Sequence, residues 1–290
     1  MHPRYAAFGL LLLFCGPVCI LAHPEIEEQI THLTKLIAEA PVASSAELYL
    51  QRGELFRIHE EWAAALSDFE EVSMLDPSLA AVHRCRGRMF YEMGKSRRAL
   101  VELDVFLKEV PSDAEALIAR ARALSDLGDF AGAKRDYAEA IALSESPRPE
   151  LYLELVEEIE SRPGDSKAEA LRILGEGIER LGPITALQVP AIEIERARGE
   201  YDSAIGRIDA MRANGGNQVQ WLKLRGDVLI EAGLVRSARL DYMEALVEYD
   251  KLSVRQRNLR PFRNMRSEIE ASLLALSGAS AADVNGEGPQ

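Results

Sequence analysis

Beyond residue 22 the side chains best equipped for chemistry are four histidines, one cysteine and an arginine that recurs. The histidines, His23, His32, His59 and His83, are scattered and lack the spacing of metal ligands. In "HEEWAAAL" His59 precedes Glu60 and Glu61, but no second histidine follows four residues on, so the zinc-protease pattern is absent. Cys85 has no base partner in register with it, as nucleophilic catalysis would require. "GEGIERLG" and "ANGGNQ" read as a helix segment and a turn, and neither is a phosphate loop. The arginine is more suggestive. "YLQRGELF" carries Arg52 and Gly53 ahead of Phe56. Thirty-four residues on, "RCRGRMF" carries Arg86 and Gly87 ahead of Phe90, and after the same interval "ARARALS" carries Arg120, Ala121 and Leu124. A guanidinium fork binds carboxylate or phosphate, so the series is either a ligand-binding device or an internal strut.

The elements that would carry these arginines repeat with the same period. With Ala46 as position 1 of a 34-residue frame, Tyr49 falls at 4, Gly53 at 8, Phe56 at 11, Ala65 at 20, Phe69 at 24 and Pro77 at 32. The second unit, from Ala80, places Gly87, Phe90, Ala99, Leu103 and Pro111 at 8, 11, 20, 24 and 32. The third, from Ala114, has Ala121, Leu124, Gly128, Ala133, Tyr137 and Ala140 at 8, 11, 15, 20, 24 and 27. Small residues at 8 and 20 let two antiparallel helices approach, large ones at 4, 11 and 24 fill the space between them, and proline at 32 ends the second helix. Three looser units follow, at 149–184, 185–218 and 219–250. The first of these carries about two extra residues at Pro163–Gly164, and Pro190 in the next predicts a kink or a late helix start.

This pattern resembles the tetratricopeptide repeat family. The resemblance covers roughly residues 25–276 and implies an all-α fold, a right-handed superhelical solenoid of antiparallel helix pairs with six repeats, 46–79, 80–113, 114–148, 149–184, 185–218 and 219–250. Amphipathic stripes predict capping helices at both ends. Ile26, Ile30, Leu33 and Ile37 mark one within 23–45, and Phe262, Met265, Ile269, Leu273 and Leu276 mark the other within 251–276. The small, polar stretch 277–290 reads as a disordered tail.

Within the frame, Arg52, Arg86, Arg120 and Arg225 stand at position 7, and the same units carry Asp68, Glu102, Asp136 and Asp241 at position 23. The units with Leu155 and Ala191 at 7 have Ile173 and Arg207 at 23, so they lack both partners. Arginine and acid therefore vary together, which favours an ion pair bridging the two helices of a repeat over ligand binding. On that reading Asp136→Ala costs more stability than Ser125→Ala.

The resemblance places ligand contacts on the concave face at positions 2, 5, 9, 12 and 13. Those slots hold Arg84, Arg88, Tyr91, Arg122 and Ser125 in the second and third units, a set suited to an acidic or carboxylate-ended peptide. In the fourth unit they hold Glu150, Glu157 and Glu160. The same positions serve equally well as ordinary solvated helix surface. The two-carboxylate clamp of chaperone-binding members is missing, with Leu50, Glu54 and Cys85 where it needs Lys and Asn. A second basic cluster, Lys251, Arg255, Arg257, Arg260, Arg263 and Arg266, fits either an anionic partner or a solubilising cap.

Composition limits the function further. The chain of 290 residues has a net charge of -13, which opposes nucleic-acid binding. Residues 1–22 have the layout of a signal peptide: Arg4, an apolar run, and a cut after Ala22, with an uncleaved membrane anchor as the alternative. After cleavage Cys85 is alone and forms no internal disulfide, and no span of the membrane remains. The expectation is an exported, non-enzymatic scaffold with a protein or peptide partner and no metal or other cofactor. The alternatives are a hydrolase or transferase using the groove, or an accessory subunit of an envelope or secretory complex.

Overall fold

A computed structural model of the chain describes residues 24–161 and 166–284. The expected signal segment 1–22, His23, the insertion at Pro163–Gly164 and the tail beyond 284 lie outside the described residues. The chain divides into two compact units between Pro111 and Ser112.

The first unit comprises α1 (Pro24–Glu39), a 3-10 turn (Val42–Ser44), α2 (Ala46–Ile58), α3 (Trp62–Leu75), α4 (Ala81–Glu92) and α5 (Ser96–Glu109). The second comprises α6 (Ala114–Asp126), α7 (Phe130–Leu143), α8 (Pro149–Glu160), α9 (Lys167–Leu181), α10 (Thr185–Ala197), α11 (Tyr201–Ala213), α12 (Gln218–Glu231), α13 (Val235–Lys251), α14 (Val254–Arg257) and α15 (Arg260–Val284). No strand occurs among the described residues. From α2 to α13 the helices form antiparallel pairs, each with a first helix (α2, α4, α6, α8, α10, α12) and a second helix that packs on it.

The packing inside a pair follows from residue size. Ala65, Ala99, Ala133, Ala170, Ala204 and Ala238, one from each second helix, are fully buried and allow close contact with the first helix. Position 8 meets position 24 directly. A Cβ added to Gly53 would stand 2.6 Å from the Phe69 ring, one on Gly87 would stand 2.6 Å from Leu103 Cγ, and one on Gly226 would stand 2.6 Å from the Tyr242 ring. Glycine there is a condition of the helix spacing.

Five of the six pairs, all but α8–α9, whose turn lies outside the described residues, turn through one residue in the left-handed region. Gly94, Gly128, Gly199 and Gly233 fill that place with φ between 70° and 82°, and in the first pair Glu60 fills it with φ 60°. A side chain pays for that conformation and glycine does not, so Glu60 is the strained member of the series. Asp113 and Asp129 cap α6 and α7 by accepting from the amides of Ala116 and Gly132 at 2.8 and 2.9 Å.

Two boundaries differ from the sequence expectation. The late start anticipated at Pro190 does not occur, because α10 begins at Thr185 and runs through the proline. The ring removes only the hydrogen bond to the carbonyl of exposed Ala186, while buried Leu187, Ala191 and Ile192 hold the helix to its neighbours. At the other end α15 continues past Leu276 to Val284, through a stretch in which Ala279, Ala281 and Ala282 favour helix. Its Phe262, Met265, Ile269, Leu273 and Leu276 pack on Val219, Leu222, Tyr242, Ala245 and Tyr249 of the last pair.

Candidate functional site

The recurring arginines lie against the second helix of their own pair. Arg52 donates from Nε and Nη2 to the two oxygens of Asp68 at 2.8 and 2.7 Å. Arg120 meets Asp136 in the same way at 2.6 and 2.9 Å. Arg86 Nη2 lies 2.9 Å from Glu102, and Arg225 Nη1 donates to both oxygens of Asp241 at 2.9 and 2.8 Å. Asp68, Asp136 and Asp241 are buried, whereas the arginine stems are partly covered. Hydrogen bonding to Asp68 raises the pKa of Arg52 against the cost of burial. At Asp241 burial dominates, and the carboxyl is raised although Arg225 pulls the other way.

The two exceptional units close their interfaces by other means. Leu155 and Ile173 are buried and apolar. In the next pair the polarity is reversed: Arg207 on the second helix donates to Glu195 at 2.7 Å and to Gln188 at 3.3 Å on the first.

A second set of ion pairs joins successive first helices. Arg57 on α2 binds Glu54 at 3.0 Å and reaches Glu92 on α4 at 2.5 and 2.7 Å. Arg196 on α10 repeats this with Glu193 at 2.8 Å and Glu231 on α12 at 2.5 and 3.1 Å. In frame terms both staples are Glu at 9, Arg at 12 and Glu at 13 of the following unit. The sequence reading missed them, although the shared positions were available to it. Both occupy slots where the family resemblance places ligand contacts.

The five candidate groove residues fare differently. Arg84, Arg88 and Tyr91 lie on α4 in the first unit, and Arg122 and Ser125 on α6 in the second; all are half-buried. Arg122 is held in a fork by Glu154 of α8 at 2.9 and 2.8 Å. Burial works against the Glu154 charge, but hydrogen bonds from Arg122 and Tyr137 outweigh it and hold this carboxyl below its usual range. Burial, with Glu154 as acceptor, pushes the Tyr137 phenol upward. Arg122 is therefore part of the α6–α8 junction. Arg84 lies over the Phe106 ring with its guanidinium carbon 5.6 Å from the centroid. Arg88, among the described residues, meets no carboxylate. Glu150, Glu157 and Glu160 are exposed on α8.

Three of the groups with catalytic potential are otherwise engaged, while His32 stands exposed on α1. His83 Nδ1 stands 2.7 Å from Glu102, the acid that Arg86 uses, and His59 Nδ1 stands 2.9 Å from Glu61. Cys85 is buried, and burial together with nearby Glu54 pushes its thiol up to about 12, which keeps it protonated. Among the described residues no group of three His, Cys, Asp or Glu is placed to hold a metal, and no helix is long and apolar enough to cross a membrane.

No family model matches the sequence, and no curated protein matches it. Solved structures do. The chain is similar to a Pseudomonas aeruginosa PilF structure at 17% identity and a TM-score of 0.50, over 78% of this chain and 96% of that one. It is also similar to YrrB, described as a TPR protein with an unusual peptide-binding site, at 14% identity and 0.49, over 70% and 97%. A third is PilW, described as a type IV pilus biogenesis factor, at 11% identity and 0.48, over 79% and 89%. Identities this low speak to the fold alone. Repeated antiparallel helix pairs with small residues where the helices touch give this chain the fold of a tetratricopeptide-repeat protein.

Proposed function

We propose that the chain is an exported, non-enzymatic interaction scaffold that takes an acidic or carboxylate-ended protein segment on the α4 face of its first unit. One observation carries this reading. Most arginines on the first helices hold a carboxylate from their own chain, as Arg52, Arg57, Arg86, Arg120 and Arg196 do, whereas Arg88 holds none among the described residues. An unspent guanidinium beside Arg84 and Tyr91 offers the forked donors that a carboxylate accepts. On an acidic molecule such a place is selective, because its surroundings repel an acidic segment bound elsewhere. The signal-like layout of residues 1–22 supports export.

Fluorescence anisotropy with a labelled, glutamate-rich peptide tests the site. Arg88→Glu is expected to weaken binding by about tenfold or more, since it removes a donor and adds a like charge. Arg88→Lys keeps the charge and retains part of the affinity. Arg236→Glu, an exposed change on α13, is expected to have little effect. Equal losses at Arg88 and Arg236 mean attraction without a site, and no loss at Arg88 removes this reading.

A further inference from the structure

We infer that the corner formed by α14 and the start of α15 docks on an anionic lipid surface. From Lys251 to Ser267 the chain carries six basic residues and no acid, on a protein whose net charge is -13. Lys251 and Arg266 are answered by neighbouring acids, Glu248 at 2.6 Å and Glu270 at 2.8 Å. Arg255, Arg257, Arg260 and Arg263 meet no carboxylate among the described residues. Within the same stretch Val254 and Leu259 are 66% and 49% exposed. Free arginines alternating with exposed aliphatic side chains suit a headgroup layer, where guanidinium forks meet phosphate and short apolar groups enter the acyl boundary.

The corner is held in place before any contact is made. A reciprocal cap between Ser253 and Gln256 fixes the single turn of α14, and the Tyr249 hydroxyl donates to the Arg257 carbonyl at 3.1 Å. Exposed residues run almost unbroken from Ser253 to Pro261, so most of the segment is open to solvent. The neighbouring cleft is lined by Glu248, Lys251, Leu252, Gln256 and Phe262, and by none of the four free arginines. A peptide seated in that cleft would leave them unused, whereas a headgroup layer offers a phosphate to each long side chain separately and needs no shared cleft.

Co-sedimentation of the full chain with vesicles tests the inference. Vesicles of phosphatidylcholine alone are compared with vesicles containing about one-third phosphatidylglycerol. The chain is expected to sediment with the anionic vesicles only, and to be released as salt is raised. Arg255→Gln with Arg260→Gln is expected to lower partitioning about 25-fold, each arginine near such a surface contributing a factor of about five. Equal sedimentation with both vesicles overturns the inference, as does an unchanged variant. Binding to soluble polyglutamate but to neither vesicle also overturns it and points to an acidic protein partner. If the variant misfolds, discrimination between the two vesicles by the unaltered chain decides the matter.

Discussion

Replacing Gly53 with valine is expected to lower the thermal transition by about 6–12 °C, from a stability loss of about 3 kcal/mol. The cause is local. The new Cβ would arrive 2.6 Å from Phe69 Cε1 and 3.2 Å from Asp68 Cβ, before either methyl of the valine is placed. Phe69 is fully buried, so its ring has nowhere to turn, and the two helices must separate. That separation also draws Arg52 away from Asp68, adding a broken pair to the overpacking. Gly175→Ala on α9 is the control. A Cβ there meets nothing within 4 Å, and alanine is expected to stabilise the helix by about 0.5–1 kcal/mol. Calorimetry on the two variants separates a glycine that packing requires from one it merely tolerates. Similar shifts of the same sign would mean that the helix contact is not set by position 8.

The second large effect is expected at Asp68. Its side chain is 5% exposed and that of Arg52 is 16%, so Asp68→Ala leaves a mostly covered guanidinium without its counter-charge. The expected cost is about 2–4 kcal/mol in denaturant unfolding, at the lower end if Arg52 leans on the partners it keeps. Those partners are Thr34 Oγ1 at 3.0 Å and the rings of Tyr49 and Phe56 at 5.4 and 5.7 Å. Arg52→Met combined with Asp68→Leu is expected to recover most of the loss, because an apolar pair needs no desolvated charge. A single-variant cost below about 0.5 kcal/mol would class the pair with exposed surface bridges.

Much of this was legible in the sequence because close packing permits few substitutions. An alanine at position 20 fits in all six units, and a glycine or alanine at position 8 fits in four of them, Val156 and Ile192 standing there in the other two, so the period is clearest where the helices touch most closely. The pairing of position 7 with 23 was legible for a similar reason, since a covered arginine without its acid is costly and the two come and go together. Arg122 was harder to place. Its acid, Glu154, lies 32 residues on at position 6 of the next unit, a relation that repeats nowhere else in the frame. The staples built on Arg57 and Arg196 do repeat, but they join different units, and a search within units passes over them. Glu60 shows the reverse limit: a turn that elsewhere uses glycine accepts an ordinary residue, so composition alone leaves that turn unmarked.

The staples also narrow where a partner can bind. They occupy positions where the family resemblance expects ligand contacts at the α2–α4 and α10–α12 junctions, and the Arg122–Glu154 fork occupies another at α6–α8. What they leave on α4 is Arg88, with Arg84 and Tyr91 one turn to either side. The most direct measurement places a photoreactive phenylalanine analogue at Tyr91 or at Val101, which is 64% exposed on α5, the second helix of the same pair. With a glutamate-rich peptide, crosslinking is expected from position 91 and not from position 101. Equal crosslinking from both, or crosslinking from 101 alone, would contradict an α4 binding face.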